Sequence, residues 1–80
     1  RMIIDVTVPK WGLTMKEVEI VKWLKNEGDM VEKDEPLVEV TTEKISNTIN
    51  APEKGKLVKI LAKEGETAPV AAVVAQIETE

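Results

Sequence analysis

Apolar and polar residues trade places at every second position along much of this chain. In RMIIDVTVP, Ile4, Val6 and Val8 fall on one face, with Asp5 and Thr7 on the other. This is the period-two pattern of a half-buried strand. Similar runs predict strands at 18–24, 37–42, 45–51, 57–61 and 73–77, with minor ones at 30–31 and 67–68. Between them lie Glu27-Gly28-Asp29, Pro52 to Gly55 and Glu64-Gly65-Glu66. There glycine permits positive φ and proline withdraws from a central ladder. Short strands separated by such turns, about 8–12 residues apart, predict a small all-β sandwich or barrel. A helix over 15–26 is the alternative, since Val18, Val21 and Trp23-Leu24 roughly suit its period. Its later counterpart KLVKILAKEG is β-rich and bounded by Gly55 and Gly65, which favours a strand.

The chain also matches itself. Shifted by 37 residues, IVKWLKNEGDMVEKDEPLVEVTTE (20–43) overlies LVKILAKEGETAPVAAVVAQIETE (57–80), with seven identities in 24 positions. Val21 meets Val58, Leu24 meets Leu61, and Glu27-Gly28 meets Glu64-Gly65. Both copies run from an apolar stretch through Glu-Gly-acid to a second apolar stretch. Such a repeat predicts a pseudo-two-fold arrangement in which each half covers the other's apolar face. Trp23 stands opposite Ile60 in this register and is expected in the core.

One interruption is unlike the others. In VEVTTEKISNTINAP the alternation of Val38 and Val40 breaks at Glu43-Lys44, then resumes through Ile45, Asn47, Ile49 and Ala51. No glycine helps the chain turn. Neither central residue favours positive φ, so a type I turn is expected, with the Lys44 ammonium at its tip. Lys44 is one of ten lysines, and most surface lysines only solvate a turn. The other reading is an amine displayed for a modifying enzyme. Spacing alone leaves both open.

Composition removes several chemistries. The 80 residues contain no histidine and no cysteine, so imidazole acid–base work, thiolate chemistry and disulfides are out of reach. A zinc site would have only carboxylates, and no P-loop or GxGxxG is present. The net charge of −4 and two aromatic residues, both Trp, speak against nucleic-acid binding. No stretch approaches the ~20 apolar residues of a membrane span, and the N-terminus alternates where a signal peptide would be continuously apolar. A single domain over 1–80 is expected.

In order and spacing, three segments carry a resemblance: VPKWGLTMKEVEIVKWLKNEGDMVEKDEPLVEV, then TTEKIS, then NAPEKGKLVKILAKEGETAPVAAVVAQIE. Together they resemble the lipoyl domain of the acyltransferase (E2) component of 2-oxo acid dehydrogenase complexes. The resemblance implies an all-β fold: a flattened barrel or sandwich of two four-stranded antiparallel sheets with quasi-two-fold symmetry. It implies that Lys44 carries lipoic acid as an amide, with Thr42, Glu43 and Ile45 read by the modifying enzyme. The loop with Trp11, Gly12, Leu13 and Thr14 would lie beside the hairpin and contact partners, although Trp11, Leu13 and Met15 could equally cap the core.

The implied partners are a lipoate ligase or octanoyltransferase, the thiamine-dependent dehydrogenase (E1), the E2 catalytic core and dihydrolipoamide dehydrogenase (E3). The domain itself would be a non-catalytic, monomeric carrier in the cytoplasm, or in the mitochondrial matrix of a eukaryote, binding neither metal, nucleic acid nor membrane. Glu43 stands where the family commonly has Asp, Ile45 where it has Ala, and Asn47 where an apolar residue is common. Val18 and Asp34 replace frequent glycines. A biotin carrier shares the fold but flanks its lysine with methionines, where this chain has Glu43 and Ile45. A glycine-cleavage carrier is a longer chain. A purely structural β module would need the repeat but not Lys44. Glu39, Glu43, Glu53 and Asp34 form either an acidic surround for the hairpin or a solvated face.

Overall fold

Every long predicted strand is present in the computed structural model, which describes residues 1–43 and 45–79. The strands are β1 (Met2–Thr7), β2 (Glu17–Trp23), β3 (Met30–Val31), β4 (Pro36–Thr42), β5 (Ile45–Asn50), β6 (Gly55–Ile60), β7 (Thr67–Pro69) and β8 (Val73–Thr79). They form two four-stranded antiparallel sheets, ordered β1-β8-β6-β3 and β5-β4-β2-β7. The segment considered for a helix contains β2. The body measures 36 × 21 × 18 Å.

Alternation delivers one apolar face per sheet. Val6, Val31, Leu57 and Ile77 of one sheet join Val18, Ile20, Val40 and Ile49 of the other in a single buried cluster, each 2% exposed or less. Burying each such side chain favours folding by about 1.5–3 kcal/mol. Strict alternation would also turn Leu37 and Val74 outward, yet both are fully buried. Bulges explain this. Pairing skips Leu37 between Pro36–Asn50 and Val38–Ile49, and skips Val74 between Val6–Ala75 and Thr7–Val73. The extra residue in each strand lets two consecutive side chains face inward.

The internal repeat is written into the backbone. Gly28 N–H donates to Leu57 O at 2.7 Å, and Gly65 N–H to Ile20 O at 2.8 Å. Asp34 N–H donates to Ala51 O at 2.8 Å, as Ala71 N–H does to Val8 O at 2.9 Å. Positive φ recurs at the matched positions: Gly28 at 97° and Gly65 at 90°, Asp34 at 68° and Ala71 at 73°. Side chains follow too. Glu64 Oε2 accepts the Trp23 N–H at 2.9 Å, while Glu27 Oε2 accepts the Ile60 N–H at 2.8 Å. Each Glu of a Glu-Gly turn thus reaches across to the other half's strand.

Candidate functional site

The reversal between β4 and β5 is as tight as the sequence suggested. Thr42 pairs with Ile45, leaving Glu43 and position 44 between them. Glu43 has φ 48°, which corrects the expected type I turn. A two-residue link between right-twisted strands favours the primed turns, which need positive φ at the first central residue. Here strand twist overrides the preference of glutamate, at a cost on the order of 1–2 kcal/mol. Lys44, the predicted attachment point, lies outside the described residues. Its chain neighbours Glu43 and Ile45 are both exposed, Ile45 to 64%.

Against this hairpin lies the link between β1 and β2. Trp11, Gly12, Thr14 and Met15 from the link, with Thr42, Glu43, Ile45 and Asn47 from the hairpin, enclose a depression of about 130 Å³. The link holds itself in shape. Met15 Sδ accepts the Trp11 N–H at 3.4 Å, and Met15 N–H donates to Gly12 O at 3.3 Å. Of the three apolar residues that could have capped the core, Met15 alone is buried, while Trp11 is 41% and Leu13 95% exposed. Leu13 does not face the depression. It lines a separate shallow concavity with Lys10, Trp11 and Gly12.

Two wall residues went unassigned in the sequence reading. Met15 belongs to an apolar triplet whose members alternation cannot tell apart. Asn47 falls on the same strand face as buried Ile49 and pairs with buried Val40, but β5 is the edge strand of its sheet, and there Asn47 is exposed. Its amide is partnered locally, since Oδ1 accepts the Thr48 N–H at 2.8 Å. Trp23 is half-buried against the core, as expected, and its indole N–H donates to Ala62 O at 2.7 Å.

The acidic surround does not assemble. Asp34 is bonded to Ala51, and Glu53 lies beyond Pro52, so both sit at the far end of β5 from the reversal. Glu43 instead shares a concavity with Glu17 and Lys16. Register decides between the two readings: composition counts acids, while strand pairing decides which end they occupy.

The Biotin_lipoyl family model, described as "Biotin-requiring enzyme", matches residues 4–77. The chain belongs to that family. It is 48% identical over 73 residues to the dihydrolipoyllysine-residue acetyltransferase component of a pyruvate dehydrogenase complex from Corynebacterium glutamicum, covering 91% of this chain and 11% of that protein. It is 44% identical over 72 residues to the corresponding component of an acetoin cleaving system from Pseudomonas putida, covering 90% of this chain and 20% of that one. The chain therefore spans a fifth or less of these curated relatives.

The fold recurs in the lipoyl domain of the 2-oxoglutarate dehydrogenase complex from Azotobacter vinelandii, with TM-score 0.76 and 24% identity over 95% of this chain and 96% of that one. It also recurs in the urea carboxylase of Kluyveromyces lactis, with TM-score 0.82 and 22% identity over 98% of this chain and 6% of that one. The two-sheet lipoyl-type fold and the resemblance to E2 acyltransferase components are thus borne out.

Proposed function

We propose that this domain is a lipoyl carrier, with Lys44 as the residue that takes lipoic acid and the body as its mount. The observation that carries this is the two-residue reversal between Thr42 and Ile45, in a chain whose relatives are dihydrolipoyllysine-residue acyltransferase components. An amide link asks for one primary amine on a short, rigid turn, with side chains beside it that accept an aliphatic group. Lys44 is the amine in that turn, and Trp11, Met15 and Ile45 supply apolar walls alongside.

Amidation joins the lysine nitrogen to the lipoyl carbonyl and replaces an ammonium with a neutral amide. That change lowers the cost of burying the arm in a partner's active-site channel. When bound, the lipoyl group supplies a redox-active disulfide that accepts an acyl group and electrons together. The chain's own part is mechanical. Two bulged, hydrogen-bonded sheets anchor the strands on either side of the reversal, and the Trp11–Met15 link forms a second surface beside it. In the proposed cycle the domain serves E1, the E2 acyltransferase core and E3 in turn, after modification by a lipoate ligase or octanoyltransferase. It needs no catalytic residue of its own.

Biotin is the second reading, because the family name covers both groups and the fold recurs in a urea carboxylase. Glu43 and Ile45 beside the lysine favour lipoate. Coexpression with a lipoate ligase, and separately with a biotin ligase, tests this by intact mass and peptide mapping. The expected result is one lipoyl group at Lys44 and no biotin. Biotin alone, or lipoate on another lysine, would refute the assignment. Lys44→Ala should abolish modification while changing stability by no more than about 0.5 kcal/mol, the range of surface substitutions.

A further inference from the structure

The depression between the link and the hairpin opens to solvent and is walled largely by apolar side chains. We infer that it is an intramolecular resting site for the ring end of the group attached at Lys44, an inference that rests on the carrier reading. Its 130 Å³ is well above the roughly 10–15 Å³ that one water needs on the same measure, which leaves room for a small ring. The indole of Trp11, the thioether of Met15 and the side chain of Ile45 give its walls an apolar character, with Thr14, Thr42 and Asn47 at the margins. Indole is also a favourable neighbour for sulfur.

The occupant follows from connectivity. Residues 43 and 45 both line the depression, and consecutive Cα atoms lie about 3.80 Å apart. A group attached between these two wall residues in sequence therefore has a short path back to the depression. Trp11 and Ile45 are left 41% and 64% exposed, so apolar surface on both sides would leave water on docking. The contact is shallow and reversible, as an arm that must visit other active sites requires. Docking would hide the disulfide between visits and present the arm from one side of the hairpin.

The test compares amide and indole NMR shifts of the lipoylated and unmodified wild-type domain, with attachment read by intact mass on the same samples. Trp11, Gly12, Thr14 and Asn47 should shift several-fold more than Met2, Ile3 and Thr79, and by the same amount at all protein concentrations. In a fully lipoylated Trp11→Ala domain, the shifts at Gly12, Thr14 and Asn47 should fall by at least half. Complete attachment with shifts confined to residues 42–45 would overturn the resting site and leave the carrier reading standing. Shifts that grow with concentration would also overturn it, by assigning the depression to a second molecule's arm. A domain that takes no lipoyl group defeats both.

Discussion

The two halves of the molecule share a backbone plan and differ where function would need them to. Nine residues (8–16) link β1 to β2, whereas the matching link from β5 to β6 has four (51–54). The extra length carries Trp11, Gly12, Leu13 and Thr14, and much of it folds against the hairpin. In the second half the chain turns directly at Pro52. The β4–β5 pairing closes through Glu43 and position 44, while its counterpart, Met2 against Thr79, is an open strand pair. Smaller differences follow the same logic. Val18 faces Ala68 across a strand pair, whereas its repeat mate Gly55 faces Val31. Lys25 and Glu35 form an ion pair at 3.1 Å where the second half has Ala62 and Ala72. Duplication supplies a stable frame, and departures from it supply a surface.

Mutations at matched positions test how equal the halves are. Leu37→Ala should have the largest effect, about 3 kcal/mol in urea denaturation, because Leu37 is fully buried at a bulge. Val74→Ala, at the matched bulge, should cost less because fewer methyl groups are lost. A reversed order would mean that the halves do not share the core evenly.

Gly55→Ala comes next, at about 2 kcal/mol. A Cβ there would sit 2.7 Å from Ile77 Cγ2 and closer still to the Glu78 carbonyl oxygen. Gly12→Ala in the extra link meets nothing within 4 Å and should stay within about 0.5 kcal/mol. The contrast separates a glycine needed for packing from one that is not.

Asp34 and Ala71 share the left-handed conformation. Ala71→Gly should raise stability by about 0.5–1 kcal/mol, since relief of backbone strain outweighs glycine's extra unfolded-state entropy. Asp34→Gly should gain less, because aspartate tolerates this region better than alanine.

The smallest effect depends on pH. Glu35 is held below the usual carboxylate range, first by the Glu32 backbone N–H that it accepts at 2.9 Å and then by the Lys25 ammonium. Desolvation and the nearby Asp29 carboxylate oppose this. A depressed folded-state pKa stabilises fully above the unfolded value, about 4.3 for glutamate, and the benefit is lost as pH falls through the folded value. Thermal unfolding of wild type and Glu35→Gln should therefore differ at pH 7 and converge in acid. A gap unchanged at low pH would show that the carboxylate charge is not the cause.

Much of this fold is legible in the sequence because its information is local or periodic. Alternation located the long strands to within a residue or two, with the widest differences at the start of β6 and at the end of β8, which pairing with β1 carries on to Thr79. The repeat located the paired Glu-Gly turns and implied the pseudo-two-fold frame. What stayed hidden depended on partners distant in sequence. Leu37 looked outward-facing until the bulge appeared. Trp11, Leu13 and Met15 looked equivalent until the hairpin lay beside them. Whether Asp34 and Glu53 join Glu43 stayed open until register placed them at the other end of β5.

By itself, then, the sequence determined the eight-strand pattern, the doubled frame and the two-residue break at Glu43-Lys44, because side-chain periodicity and turn chemistry act over a few neighbouring residues. Tertiary structure alone decided the sign of φ at Glu43, the inward turn of Leu37 and Val74, and the depression between link and hairpin. Those features arise from strand twist, bulged register and contacts between segments far apart along the chain, for which a linear pattern carries no signal.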